Sequence, residues 1–181
     1  MTVIVISGQP VCGSSSSARL LAERLRLRHF SAGDFFKSFS QKGTETEKAT
    51  LFMKTDKGSS SAFHNALEKR VADECRKGDV VIDTKLGIRM QKGLYDFSVW
   101  LKAPFPVRAD RVAERDALKG EDAEAALKEK EEMERATWKR IYGFDYFDQE
   151  FEADLIIDNS DLSKEETVEK IMEELGKRGI I

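Results

Sequence analysis

Cysteine is nearly absent. Cys12 and Cys75 are the two in 181 residues, too few and too far apart for a disulfide framework or a metal knuckle. That scarcity points to a reducing compartment, and a cytoplasmic protein is expected. No apolar run approaches the roughly eighteen residues that a membrane span requires, and Met1, Thr2 and Val3 enter a strand pattern directly instead of a charged leader. Neither sign of charge dominates: 30 Lys and Arg stand against 33 Asp and Glu, a net charge of −3. This balance gives no footprint for nucleic acid or for a membrane surface, so any anion site must be local. The two histidines, His29 and His64, are isolated, which leaves them structural or surface roles instead of metal ligation. No internal repeat is visible.

What is present suits one α/β domain spanning 1–181, with 40% hydrophobic residues to build its core. Five β-branched or aromatic runs recur: Val3 to Ser7, His29 to Ser31, Val80 to Asp83, Phe97 to Leu101 and Leu155 to Asp158. Helix-like or turn-rich sequence follows each, which predicts a parallel sheet. Ala18, Leu21, Ala22 and Leu25 form the stripe of a helix packed on a sheet face. Phe63, Leu67, Val71 and Cys75 mark a second helix, ended by Arg76, Lys77 and Gly78. Pro104 and Pro106 can open a third that runs to about Asp116. Charged residues are concentrated between Lys119 and Arg140, where a helix over about 121–142 is expected, either merely solvated or functional. Ser163 to Glu166 make a capping box for a last helix carrying Val168, Ile171, Met172 and Leu175, with Gly176 as its expected end. Residues 38–61 are polar and turn-rich around Leu51, Phe52 and Met53, and read as a mobile insertion.

The chemistry is announced by the segment after the first strand, Gly8-Gln9-Pro10-Val11-Cys12-Gly13-Ser14-Ser15-Ser16. Strand, glycine-bounded loop and helix in that order reproduce the context of a P-loop. The spacing from Gly8 to Gly13, with a hydroxyl at Ser15, allows backbone N–H groups to line an anion nest at a helix N-terminus. One part is missing: the pattern G-x-x-x-x-G-K-[ST] has lysine where this chain has Ser14. Arg19, about 140° around the helix from position 14, is no obvious substitute. A serine-rich turn can also simply cap a helix, and Cys12 can simply pack within the loop.

Together with this loop, four further segments resemble the archaeal-type cytidylate kinase family of P-loop nucleoside monophosphate kinases. They are Ser31-Ala32-Gly33-Asp34-Phe35-Phe36-Lys37, Gly78 to Asp83, Val99 to Pro104 and Ile141 to Asp145. The resemblance covers nearly the whole chain. It implies a three-layer α/β/α fold with a five-stranded parallel sheet ordered 2-3-1-4-5, a monophosphate-binding insertion at 38–61 and a lid at about 117–142. The implied reaction uses ATP with Mg²⁺ to phosphorylate CMP or dCMP. On this resemblance, Gly8, Gly13, Ser14, Ser15 and Ser16 bind ATP phosphates, with Arg111 and Arg115 at the lid entry, where the first arginine stacks on the base. Ser31, Gly33, Asp34, Lys37 and Lys85 hold the acceptor monophosphate, lysine replacing arginine at 37 and 85. Ser15 and Asp83 serve Mg²⁺, and Lys37, Arg115 and a lid arginine, Arg135, assist transfer. Thr137 stands where a further arginine is expected.

These departures all weaken the stabilisation of negative charge during phosphoryl transfer. Two functions therefore follow. One is an active kinase whose partners are ATP and CMP or dCMP. The other is a pseudoenzyme, a non-catalytic nucleotide- or anion-binding module that controls a protein partner, and Ser14 is the feature favouring it. Neither requires nucleic acid or a membrane.

Overall fold

The computed structural model describes residues 1–39 and 43–181. Five strands form one sheet: β1 (Val3–Gly8), β2 (Arg28–Ser31), β3 (Val80–Asp83), β4 (Phe97–Lys102) and β5 (Leu155–Asp158). Every pairing is parallel and the order is β2-β3-β1-β4-β5, the order the family resemblance implies. The helices are α1 (Ser14–Leu25), α2 (Ala32–Lys37), α3 (Glu45–Met53), α4 (Ser61–Lys77), α5 (Gly87–Met90), α6 (Phe105–Asp116), α7 (Gly120–Tyr142) and α8 (Lys164–Lys177). A 3-10 helix covers Tyr146–Glu152. Among the described residues, no helix is long and apolar enough to cross a membrane.

β1 is buried at all six positions, as a central strand covered on both faces must be. Successive side chains alternate between the faces. Val3 and Val5 pack with Val80, Ile82 and Trp100 against Leu67 and Val71 of α4 and Trp138 of α7. Ile4 and Ile6 pack with Val81, Val99 and Leu101 against Leu21 of α1 and Ile171 of α8. Each such fully buried side chain contributes about 1.5–3 kcal/mol through burial. A third, smaller cluster joins α6 to α7 through Ala109, Val112, Ala123 and Leu127.

Two expectations are corrected. The insertion is not simply turn-rich: it carries α3, because Thr44 and Glu47 form a capping box and Ala49, Phe52 and Met53 turn into the core. Positions 40–42 of that stretch lie outside the described residues. Gly176 does not end α8 either. The helix continues to Lys177, with the Arg178 amide donating to the Glu174 carbonyl at 3.1 Å, and the left-handed glycine is Gly179, at φ +66°.

The topology fixes where a ligand goes. From β1 the chain builds β2 and β3 on one side and then crosses to β4 on the other. The crevice at the carboxyl ends of these strands is the binding position of open α/β sheets. Register brings Ile6, Asp83 and Ser31 level there, with Gly8 beside Leu101 two residues further on.

Candidate active site

At that crevice β1 runs out into the glycine-bounded loop. Gly8 is required by close approach: a Cβ there would lie 2.4 Å from the Leu101 carbonyl oxygen and 2.7 Å from Cys12 Sγ. The chain then curls through two left-handed residues, Val11 at φ 61° and Gly13 at φ 84°. For β-branched Val11 this is a strained conformation of the kind that concentrates at functional sites. The curl turns the carbonyls outward, and side chains take them. Lys85 Nζ donates to Gly8 O at 2.7 Å and Gln9 O at 2.9 Å, Arg108 Nη1 donates to Pro10 O at 3.2 Å, and Asn159 Nδ2 donates to Cys12 O at 2.7 Å. Among the described residues no oxygen or nitrogen accepts from the amides of Gly13, Ser14, Ser15 and Ser16, and the Ser14 amide has only the Cys12 thiol beside it. Nor does any serine cap α1, whose N-cap is Gly13 with no side-chain hydrogen bond, so the helix-capping alternative has no contact to support it. The N–H groups of a helix N-terminus form an anion nest. Cys12 packs in the core, and its burial pushes the thiol pKa up.

The loop opens on a cavity of about 400 Å³. Cations approach it from several elements, each in a different bonding state. Lys37 at the end of α2 pairs with Asp34 at 3.1 Å and Glu45 at 3.3 Å. Arg111 on α6 donates to Asn159 Oδ1 at 3.1 Å and to its carbonyl at 2.6 Å. One turn on, Arg115 reaches Thr46 Oγ1 and Asp116, and the Thr46 amide donates to Asp116 at 3.0 Å, so α6 is tied to α3 of the insertion. Lys130 on α7 pairs with Glu134 at 2.7 Å, both largely buried. Burial works against the Glu134 carboxylate, but Lys130, Lys85 and Tyr146 hold its pKa below the usual range.

The opposite end of the cavity is apolar, lined by Phe36, Ala49, Met53 and Trp138, with two buried polar groups, His64 and Glu68. Trp138 Nε1 donates to His64 Nδ1 at 3.3 Å while His64 Nε2 lies 2.9 Å from the Gly58 carbonyl. A carbonyl can only accept, so this arrangement selects the neutral tautomer with its proton on Nε2. Burial lowers the His64 pKa in the same sense. Glu68 accepts from Gln91 Nε2 at 3.0 Å, and burial pushes its carboxyl pKa up to about 7.

The cytidylate kinase-like family model matches residues 3–161. The chain belongs to that family. It is 33% identical to a cytidylate kinase of Ignicoccus hospitalis over 94% of this chain and 97% of the relative. It is also 33% identical to one from Methanopyrus kandleri, over 91% and 88%. Among solved structures it superposes on an uncharacterized protein from Eubacterium ventriosum with a TM-score of 0.69 at 14% identity, covering 97% and 99% of the two chains. A shikimate kinase from Aquifex aeolicus gives 0.61 at 19% identity over 98% of each chain. The likeness to the shikimate kinase shows a shared fold.

In this cytidylate kinase-like chain, the cavity brings together Gly13, Ser14, Ser15, Ser16, Gly33, Lys37, Asp83, Lys85, Arg111 and Arg115. Gly8, Ser31 and Asp34 support it from behind. Gly8 makes the tight strand exit, and Ser31 Oγ donates to Asp83 at 2.9 Å while accepting from the Asp34 amide at 3.1 Å, which caps α2. Arg135 stands apart from them. It lies outside the cavity, donating to Asp145 at 2.9 Å with its guanidinium 4.7 Å from the Phe147 ring centroid, so its fork is already occupied. Arg108, Lys130, Glu134 and Glu68 escaped the sequence reading. The last three carried a signal: Lys130, Glu134 and Trp138 follow at four-residue steps, and Glu68 directly follows Leu67 on the inward stripe of α4.

The oxygen donors here fit Mg²⁺. That ion takes oxygen ligands, keeps several waters, and is usually held by one or two protein groups together with substrate phosphates. Ser15 and Asp83 both line the cavity, and Asp83 accepts from Ser31 through Oδ2 alone, leaving Oδ1 without a partner among the described residues. Among the described residues, no group of three or more His, Cys, Asp or Glu could hold a metal by itself.

Proposed function

We propose that the chain is a nucleoside monophosphate kinase that moves the γ-phosphoryl group of ATP to CMP or dCMP. One observation carries this reading: the amides of Gly13 to Ser16 border the same cavity of about 400 Å³ as the apolar side chains of Phe36, Ala49, Met53 and Trp138. The names of the archaeal relatives support cytidine as the base. Phosphoryl transfer asks little covalent chemistry of a protein. Positioning and charge neutralisation supply most of the acceleration.

In this reading the amides of Gly13, Ser14, Ser15 and Ser16 hold the donor phosphates, and Arg111 borders them from α6. Lys37 and Arg115 face the acceptor phosphate from α2 and α6, each now held by carboxylates that an anion would displace. The base enters between Phe36, Met53 and Trp138, where Glu68 can accept from the exocyclic amino group of cytosine. Mg²⁺, held by Ser15 and Asp83, would neutralise charge on the phosphates when bound.

The test is transfer from isotope-labelled ATP to CMP, dCMP, UMP and AMP. Labelled diphosphate is expected with the two cytidine nucleotides, and no transfer above background to any acceptor rejects the reading. Thermal stabilisation by ATP and Mg²⁺ without turnover would select the non-catalytic module instead.

A further inference from the structure

The loop lacks its lysine at position 14, yet an ammonium group stands on it. Lys85 follows β3 by two residues, and its Nζ makes two hydrogen bonds, both to loop carbonyls, Gly8 O at 2.7 Å and Gln9 O at 2.9 Å. An ammonium has three N–H donors, so one remains. Lys85 also differs from the other cations around the cavity. Lys37, Arg115 and Lys130 each contact a carboxylate and Arg111 is held by Asn159, whereas Lys85 has no carboxylate within 4.0 Å among the described residues. Lys85 lines the cavity with no carboxylate in contact among those residues, and Glu134 is the carboxylate whose pKa its charge lowers from a distance.

The placement of Lys85 is fixed from behind. Its carbonyl accepts from Gln149 Nε2 at 2.9 Å, and the preceding carbonyl, of Thr84, accepts from Ser7 Oγ at 2.6 Å. Ser7 and Gln149 are both buried, and the Thr84 amide donates to Ile6 O at 3.1 Å. The backbone at 84 and 85 is thus clamped to β1 and to the 3-10 helix.

We propose that Lys85 takes over the work of the missing loop lysine, carrying its point charge to the transferred phosphate of the bound nucleotide from the end of β3. The inference rests on the kinase reading but assigns Lys85 to the donor phosphates, not to the acceptor phosphate that the family resemblance implies. It also explains how Ser14 is compatible with a working loop. The charge has changed its attachment point and kept its place.

The experiment measures equilibrium binding of ATP and of inorganic tripolyphosphate, with steady-state transfer to CMP, for wild type, Lys85→Met, Lys85→Arg and the double variant Ser14→Lys, Lys85→Met. Losing one charge-assisted hydrogen bond should weaken tripolyphosphate and ATP binding by about ten- to a hundredfold in Lys85→Met. Turnover should fall by about 10² to 10³, with the KM for CMP changed less than about threefold. Lys85→Arg should retain binding, and the double variant, with the charge returned to position 14, should recover at least about tenfold over Lys85→Met. Three results overturn the proposal alone: unchanged ATP binding in Lys85→Met, a loss confined to CMP affinity, or a double variant that folds yet stays at the Lys85→Met level. A wild-type chain that binds neither ATP nor tripolyphosphate overturns the kinase reading and this inference together.

Discussion

The two ends of the cavity are built on different principles. The phosphate end is main chain: the amides of Gly13 to Ser16, with the preceding loop carbonyls tied back by Lys85, Arg108 and Asn159. The apolar end is side chain throughout, with Phe36 from α2, Met53 from α3, Glu68 from α4 and Trp138 from α7 converging on one space. A main-chain nest tolerates changes of side chain, so the loop can lose a lysine and keep its shape. A side-chain pocket has no such tolerance, because its specificity and much of its stability reside in the same residues.

The sharpest way to break this contrast is at the apolar end. Trp138 is buried and meets His64 and Tyr146 edge-on. Truncating it to alanine should cost about 3–5 kcal/mol of stability in urea denaturation, and a loss below about 1 kcal/mol would show that this end is not a packed wall.

Next comes Glu68. Its folded-state pKa, about 7, lies above the ordinary 4.5, so the folded chain retains a proton that the unfolded chain releases. Stability contributed by that protonation is present at low pH and is lost as pH rises through about 7. Between pH 5.5 and 8, wild type should lose about 2 kcal/mol more than Glu68→Gln. Parallel pH profiles for the two proteins would show that Glu68 is not held protonated. Comparing with the variant removes the opposing contribution of His64, whose lowered pKa makes acid destabilising.

Asp83 sharpens the phosphate end. Asp83→Asn preserves shape and removes the charge, and should lower Mg²⁺-dependent turnover by about ten- to a hundredfold while leaving Mg²⁺-free tripolyphosphate binding intact. Equal loss of both would make Asp83 a support for the loop instead. The smallest effect is expected at Arg135. Arg135→Ala should change stability by less than about 1 kcal/mol, as exposed ion pairs do, with turnover unchanged in the same assay. A large fall in turnover would mean that this arginine reaches the cavity after all.

The same contrast explains what could be read from the sequence. All five strands, α1, α4 and α8 were legible because each carries its own periodicity, and the loop was legible because Gly8 through Ser16 are contiguous. α3 was missed although Thr44 and Glu47 spell out its capping box, since the surrounding polar residues masked its single apolar face. The pairing of Lys85 with the Gly8 carbonyl was hidden by a sequence separation of 77 and appears only when β3 pairs with β1. Arg135 was named only through the family resemblance, which does not say which face of a charged helix turns inward. Here Leu127, Glu134 and Trp138 turn inward and Arg135 turns to Asp145.

The loop amides decide whether the phosphate site exists, and a nitrogen-15 NMR titration observes them one by one. Adding ATP with Mg²⁺ to saturation should shift the amide resonances of Gly13, Ser14, Ser15 and Ser16 more than those of the exposed helices. If those four signals stay in place while the nucleotide binds elsewhere or not at all, the phosphate site does not exist.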